Sequence, residues 1–205
     1  MRIALPIVTV LAAASAASAG TITFEFEGSV TGIVENTIGA DVSGGTEFVG
    51  IYSFESDAPA TPVNPFASRY DVGVPHELHL TIAGLRFSEP VSYISVFNDA
   101  VAAGNVFDYY HMATRTAGDI GYSQLNLRAL GREPPLFLNS QGLPSTPPDL
   151  SLADYERVFA YDGDGIRFVG NVTSLRLVPL PPTAWLGLGL LGGIGLAGRL
   201  RRRSA

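Results

Sequence analysis

Three histidines and nineteen carboxylates, with no cysteine and no lysine, are the groups through which this chain can do chemistry. Thiol catalysis, cysteine-ligated metals and lysine nucleophiles are thereby excluded. HELH at 76–79 invites comparison with the zinc motif HExxH, which needs histidines at i and i+4 on one helical face. His76 and His79 are three apart, and the segment after Pro75 reads as a strand, where the two positions point to opposite faces. His111 completes such a site only by tertiary placement, so no zinc site is expected. DGDG at 162–165 offers Asp162 and Asp164. A calcium loop draws its oxygens from a longer acidic run with a distal glutamate. Asp and Gly are also what a tight hairpin with positive φ requires, and a hairpin turn is the expectation. A calcium ion on Asp162 and Asp164, with Asp149, Asp154 and Glu156 close in sequence, is the alternative; no other cofactor is expected.

Hydrolytic chemistry finds less support. Glu25 and Glu27 share one strand face but alternate with Phe24 and Phe26, which makes them solvated partners of a buried face. Glycoside hydrolysis needs two carboxylates at a defined separation, one with a raised pKa, and no such pair stands out. G-x-S-x-G and S-x-x-K are both missing. No catalytic residue is named, and the chain is read as a non-enzyme. Sugar stacking would fall to tyrosine, because the one tryptophan, Trp185, lies near the C-terminus. Tyr93, Tyr109, Tyr110, Tyr122, Tyr155 and Tyr161 are the candidates. As amphipathic strand residues they are expected first of all in the core.

The elements that would position these groups are strands. In TITFEFEGSV, Ile22, Phe24 and Phe26 alternate with Thr23, Glu25 and Glu27, a half-buried strand with one wet face. TEFVGIYSF, HELHLTI, VSYISVFND, NVFDYYHMA, SQLNLRAL, DYERVFAY and GIRFVGNVTSLRLV continue the pattern, divided by Gly, Pro, Asn and Asp. Two connections, 56–65 and 132–151, are long and proline-rich and read as loops. The expected fold is all-β: one antiparallel β-sandwich, jelly-roll-like, over residues 20–177, with no internal repeat and no second domain.

Both ends of the sequence read as targeting segments. Residues 1–19 carry a positive start at Arg2, an apolar stretch and a small-residue cleavage site at Ala17-Ser18-Ala19, the pattern of a signal peptide. Residues 178–205 join the prolines 179, 181 and 182 to a short glycine-rich apolar span and an arginine cluster. The prolines break any helix before the span, and the span is brief for a crossing that needs about 20 apolar residues. Arg199, Arg201, Arg202 and Arg203 would hold the C-terminus in the cytoplasm and leave everything upstream outside. Between the ends, eight basic residues face all nineteen acidic ones, a formal charge of −11. That balance argues against a nucleic-acid partner, which requires a basic surface.

The sequence VPLPPTAWLGLGLLGGIGLAGRLRRR resembles the VPLPA-CTERM sorting signal, a variant of the PEP-CTERM tail of exported bacterial proteins. Val178, Pro179, Leu180 and Pro181 match its motif, Trp185 to Gly198 its transmembrane span and the arginines its basic stop, with Pro182 where the family usually has alanine. The resemblance implies passage through the secretion translocon and a transient stay in the inner membrane, C-terminus cytoplasmic. An exosortase-type protease would then cut the tail and release the protein to the surface or the extracellular matrix. Residues 20–177 are similar to a recurrent β-rich domain found upstream of such tails, to which no activity is assigned. The expected function is accordingly that of an exported surface or matrix protein without enzymatic activity. A glycan- or exopolysaccharide-binding module, calcium-assisted or not, is the second expectation, and a secreted polysaccharide hydrolase the third.

Overall fold

A computed structural model describes residues 20–73, 75–102, 104–114, 122–131 and 137–179. The expected signal peptide with Ala17 and Ala19, the motif residues Leu180 and Pro181, the transmembrane sorting helix and the arginine stop lie outside these residues. Among the described residues there is no helix, and none is long and apolar enough to cross a membrane. Eleven strands account for the regular structure: β1 (Thr21–Asn36), β2 (Glu47–Glu55), β3 (Ala60–Asn64), β4 (Ala67–Asp71), β5 (Glu77–Ile82) and β6 (Leu85–Pro90) in the first half. β7 (Tyr93–Ala102), β8 (Asn105–Ala113), β9 (Gln124–Gly131), β10 (Glu156–Gly163) and β11 (Ile166–Leu177) complete them.

All eleven form one antiparallel sheet in the order β3-β4-β7-β8-β9-β10-β11-β1-β2-β5-β6. Period-2 alternation decides which side of it is dry. In β2, Phe48, Gly50, Tyr52 and Phe54 are buried and alternate with half-exposed residues; in β5, Leu78, Leu80 and Ile82 alternate with exposed ones. The buried faces meet each other. Tyr52 on β2 and Tyr110 on β8, five places apart in the strand order, share a hydroxyl–hydroxyl hydrogen bond of 2.9 Å inside the core. The sheet therefore folds over on itself. Register shifts in the β1–β11 pair, at Glu27/Gly28, Val30/Gly32 and Ile33/Glu35, supply bulges that let long strands bend.

Aromatic rings fill the fold: Phe24, Phe26, Phe48, Tyr52, Phe54, Phe159 and Phe168 are all buried, with Phe26 and Phe159 centred 4.8 Å apart. They need flat ground, which glycine provides. A Cβ on Gly28 would stand 2.3 Å from the Asn171 carbonyl oxygen and 2.5 Å from the Phe48 ring.

The expected hairpin at DGDG is present. Asp164 and Gly165 take φ of +49° and +78° and close β10 onto β11 with two turn residues. The 56–65 connection differs from its reading as a loop, because β3 runs through it. Its Pro62 has no N–H to give, which a strand tolerates when it lies at the edge of a sheet, and β3 is an edge.

Candidate functional site

Where the sheet's dry side holds the core, its other side is lined by rings from β7 and β8, with Arg69 of β4 and Asn126 and Arg128 of β9 beside them. Alternation puts Tyr110 and Met112 of β8 inward and Phe107, Tyr109 and His111 outward. Strand register brings partners beside them: Phe97 pairs with Tyr109, Ser95 with His111, and His111 with Asn126. A bulge between Phe97 and Ala100 sets this register, with Asp99 held at φ +52°. It is fixed from behind by Asp108, fully buried, whose carboxylate accepts the Asp99 N–H at 2.8 Å and the Leu138 N–H at 2.6 Å. Burial pushes the Asp108 pKa up, while the backbone donors at Asp99, Leu138 and Phe137 pull it back.

The outward side chains form a continuous ladder. The Arg69 guanidinium lies 4.1 Å over the Tyr93 ring, and Tyr93 is centred 5.4 Å from His111. His111 to Tyr109 is 5.6 Å, Tyr109 to Phe97 5.6 Å, and Phe97 to Phe107 6.3 Å. Arg128 closes the row, its guanidinium 4.6 Å over Phe107 and 5.0 Å over Tyr155. Strand rise separates His111 from Phe107 by about 13 Å, so the ladder is longer than one small ring.

Polar contacts lock the rings in place. His111 Nδ1 is 2.6 Å from Asn126 Oδ1, Tyr109 OH 2.5 Å from the same oxygen, and Tyr93 OH 3.1 Å from His111 Nε2. The pattern assigns a neutral imidazole whose Nδ1–H donates to Asn126 and whose Nε2 accepts from Tyr93. Burial lowers the His111 pKa, against the smaller upward pull of Asn126. Burial likewise drives the Tyr109 phenol far above its usual range, so it stays a donor. Arg128 is placed differently. Its Nε is buried without a hydrogen-bond partner, and among the described residues it makes no ion pair, although Glu156 stands opposite it in register.

The residues singled out from sequence are dispersed. His76 is buried ahead of β5, 3.3 Å from Ser53 and 3.7 Å from Glu55, whereas exposed His79 contacts Ser88 at 2.7 Å. His111 belongs to the ladder. Asp162 is engaged by Arg167 at 2.9 Å, and Asp164 lies 3.5 Å from the Tyr161 hydroxyl. Asp149 caps Ser151 and Asp154 accepts from Leu130, so neither joins the pair. Among the described residues no three His, Asp or Glu side chains gather as a metal site would require. Glu25 and Glu27 both bind Arg176 across the β1–β11 pair. Glu25, at 16% exposure, is less solvated than alternation implied, because Arg176 covers it.

The tyrosines divide. Tyr110 and Tyr161 are core residues as expected, while Tyr93 and Tyr109 are outward and Tyr155 is 60% exposed. Tyr122 is half-buried just before β9. Sequence reasoning did not single out Arg69, Phe97, Phe107, Asn126 or Arg128. The signal for one of them, Phe107, was there in F-x-Y-x-H at 107–111, an alternation that puts three rings on one side. A second concavity, about 470 Å³, lies in the 137–152 loop, walled by Leu143, Pro144, Pro147, Asp149 and Leu152. It holds one carboxylate, Asp149, and one aromatic ring, Phe137. Comparison of the chain with known protein families, with characterised proteins and with solved structures finds no match.

Proposed function

We propose that this chain is an exported, non-enzymatic surface or matrix protein that holds a polysaccharide on the outward ladder of β7, β8 and β9. The observation that carries the reading is the run of rings from Tyr93 to Phe107 on the side of the sheet away from the core. Apolar ring faces suit the C–H faces of sugars, and side chains already fixed by hydrogen bonds lose little freedom on binding. The scaffold is taken to be a jelly-roll-like β-sandwich. The reading also includes delivery by the translocon, transient inner-membrane residence and tail removal by an exosortase-type protease at Val178 to Pro181.

Binding is favoured over turnover by the state of the titratable groups. His111 is neutral with both nitrogens engaged, and Glu25 and Glu27 share the guanidinium of Arg176. Calcium is not needed for this role, since Asp162 already has a cationic partner. Affinity electrophoresis of the full chain through gels cast with different polysaccharides tests the proposal. Retardation by at least one polymer is expected, with mobility restored by Phe107→Ala or Tyr109→Ala. Free migration in every gel would contradict it.

A further inference from the structure

Among the described residues, Arg128 is the ladder's cation without an anion. Arg69 is tied to Asp71 at 3.0 Å, Arg167 to Asp162 at 2.9 Å and Arg176 to Glu25 and Glu27. Arg128 instead lies between the rings of Phe107 and Tyr155 with its buried Nε unpartnered. A buried charged donor left without an acceptor is costly, and that cost is recovered if a ligand supplies the acceptor. The guanidinium is a planar fork whose parallel N–H groups match the two oxygens of a carboxylate. Stacked rings beside such a fork describe one kind of ligand: a sugar ring bearing a carboxylate at its edge.

We propose that the ladder selects acidic polysaccharides of the uronate type, with Arg128 as the specificity-determining residue that takes the carboxylate while Phe107 and its neighbours take the sugar ring. The proposal rests on the glycan-binding reading and adds the substrate class. Glu156 stands opposite Arg128 in register on β10, so a ligand carboxylate competes with it for the guanidinium. The rest of the surface is acidic, with a formal charge of −11 over residues 20–177, and repels a polyanion at low salt. At about 0.15 M salt the screening length is about 8 Å, so the remote carboxylates fade while the contact at Arg128 persists.

The test is calorimetric titration of the full chain at that ionic strength with polygalacturonate and with its methyl ester, which keeps the sugars and removes the charge. The expected result is at least about tenfold tighter binding of the acid form, the equivalent of one charge-assisted contact. Arg128→Gln should bind both polymers equally, near the wild-type value for the ester. Arg128→Lys, which keeps the charge without the fork, should retain only part of the preference. A thermal melt of each variant establishes that it is folded.

Equal wild-type affinity for acid and ester, or a preference surviving in Arg128→Gln, overturns the proposal and leaves the glycan-binding reading standing. Dextran sulfate bound in an Arg128-dependent way, with polygalacturonate ignored, overturns the carboxylate assignment. If Phe107→Ala abolishes binding of the ester while Arg128→Gln does not, the two parts of the ladder have the assigned roles. Silence of the wild type toward both polymers and toward dextran sulfate overturns the substrate class, and the gel panel then decides separately whether any glycan is bound.

Discussion

His111 is a group whose protonation the ladder resists. In the folded chain its Nδ1–H donates a hydrogen bond to Asn126 Oδ1, its Nε2 accepts one from the Tyr93 hydroxyl, and Tyr109 packs against its ring. Its folded pKa lies below the ordinary 6.5, chiefly through burial. Between that lowered value and 6.5 the unfolded chain binds a proton that the folded chain does not, so stability rises with pH across this window. Acidifying from pH 7 to pH 5 should therefore lower the melting temperature. Carboxylates titrate in part of the same range, so the site is read from the difference between wild type and His111→Gln, which should show a smaller drop. An identical drop in both would mean that His111 is not neutral in the fold.

At the scale of elements, glycine lets rings lie against the backbone of the long strands that the bulges bend. Gly28 shows this most clearly, with a backbone carbonyl and the Phe48 ring both inside the space of a methyl group. Gly28→Ala should cost on the order of 2 kcal/mol by overpacking, seen as a lower urea midpoint. Gly32→Ala, a few residues along the same strand with nothing within 4 Å of the added carbon, should stay within about 0.5 kcal/mol. Equal effects at the two positions would remove the packing argument. Most strands were legible because their apolar residues recur at every second position, and the Asp164–Gly165 turn because its residue types tolerate positive φ. β3 was not, since Ala60–Asn64 is exposed at every position and carries a proline, so no alternation marks it. Adjacent Tyr109 and Tyr110 had to face opposite ways. Which one met the core depended on a sheet that folds over to bring Tyr52 to Tyr110, a contact 58 residues apart in sequence. Arg128 reaches Phe107 through the pairing of β9 with β8 and Tyr155 through the pairing of β9 with β10, and nothing local to Arg128 announces either.

Across the whole molecule, β1 and β11 lie side by side and bring the two ends of the described chain together. Phe24 pairs with Leu177, and the Val178 N–H donates to the Thr23 carbonyl at 2.9 Å. Thr23, a few residues past the expected end of the signal peptide at 19, thus lies beside Val178, where the expected sorting motif would begin. If both segments are removed in the cell, the intact mass of the isolated protein should match a chain beginning at Gly20 and ending near Pro182. A mass that includes the tail would contradict sorting by cleavage. The central claim concerns the use of the outward face, and hydroxyl-radical footprinting of the full chain with and without a polysaccharide that retards it in gels tests that claim most directly. The account predicts protection at Tyr93, Phe97, Phe107, Tyr109 and Tyr155, with Leu143, Pro144 and Leu152 of the 137–152 loop unchanged. Protection confined to that loop, with the ladder as reactive as before, would contradict it.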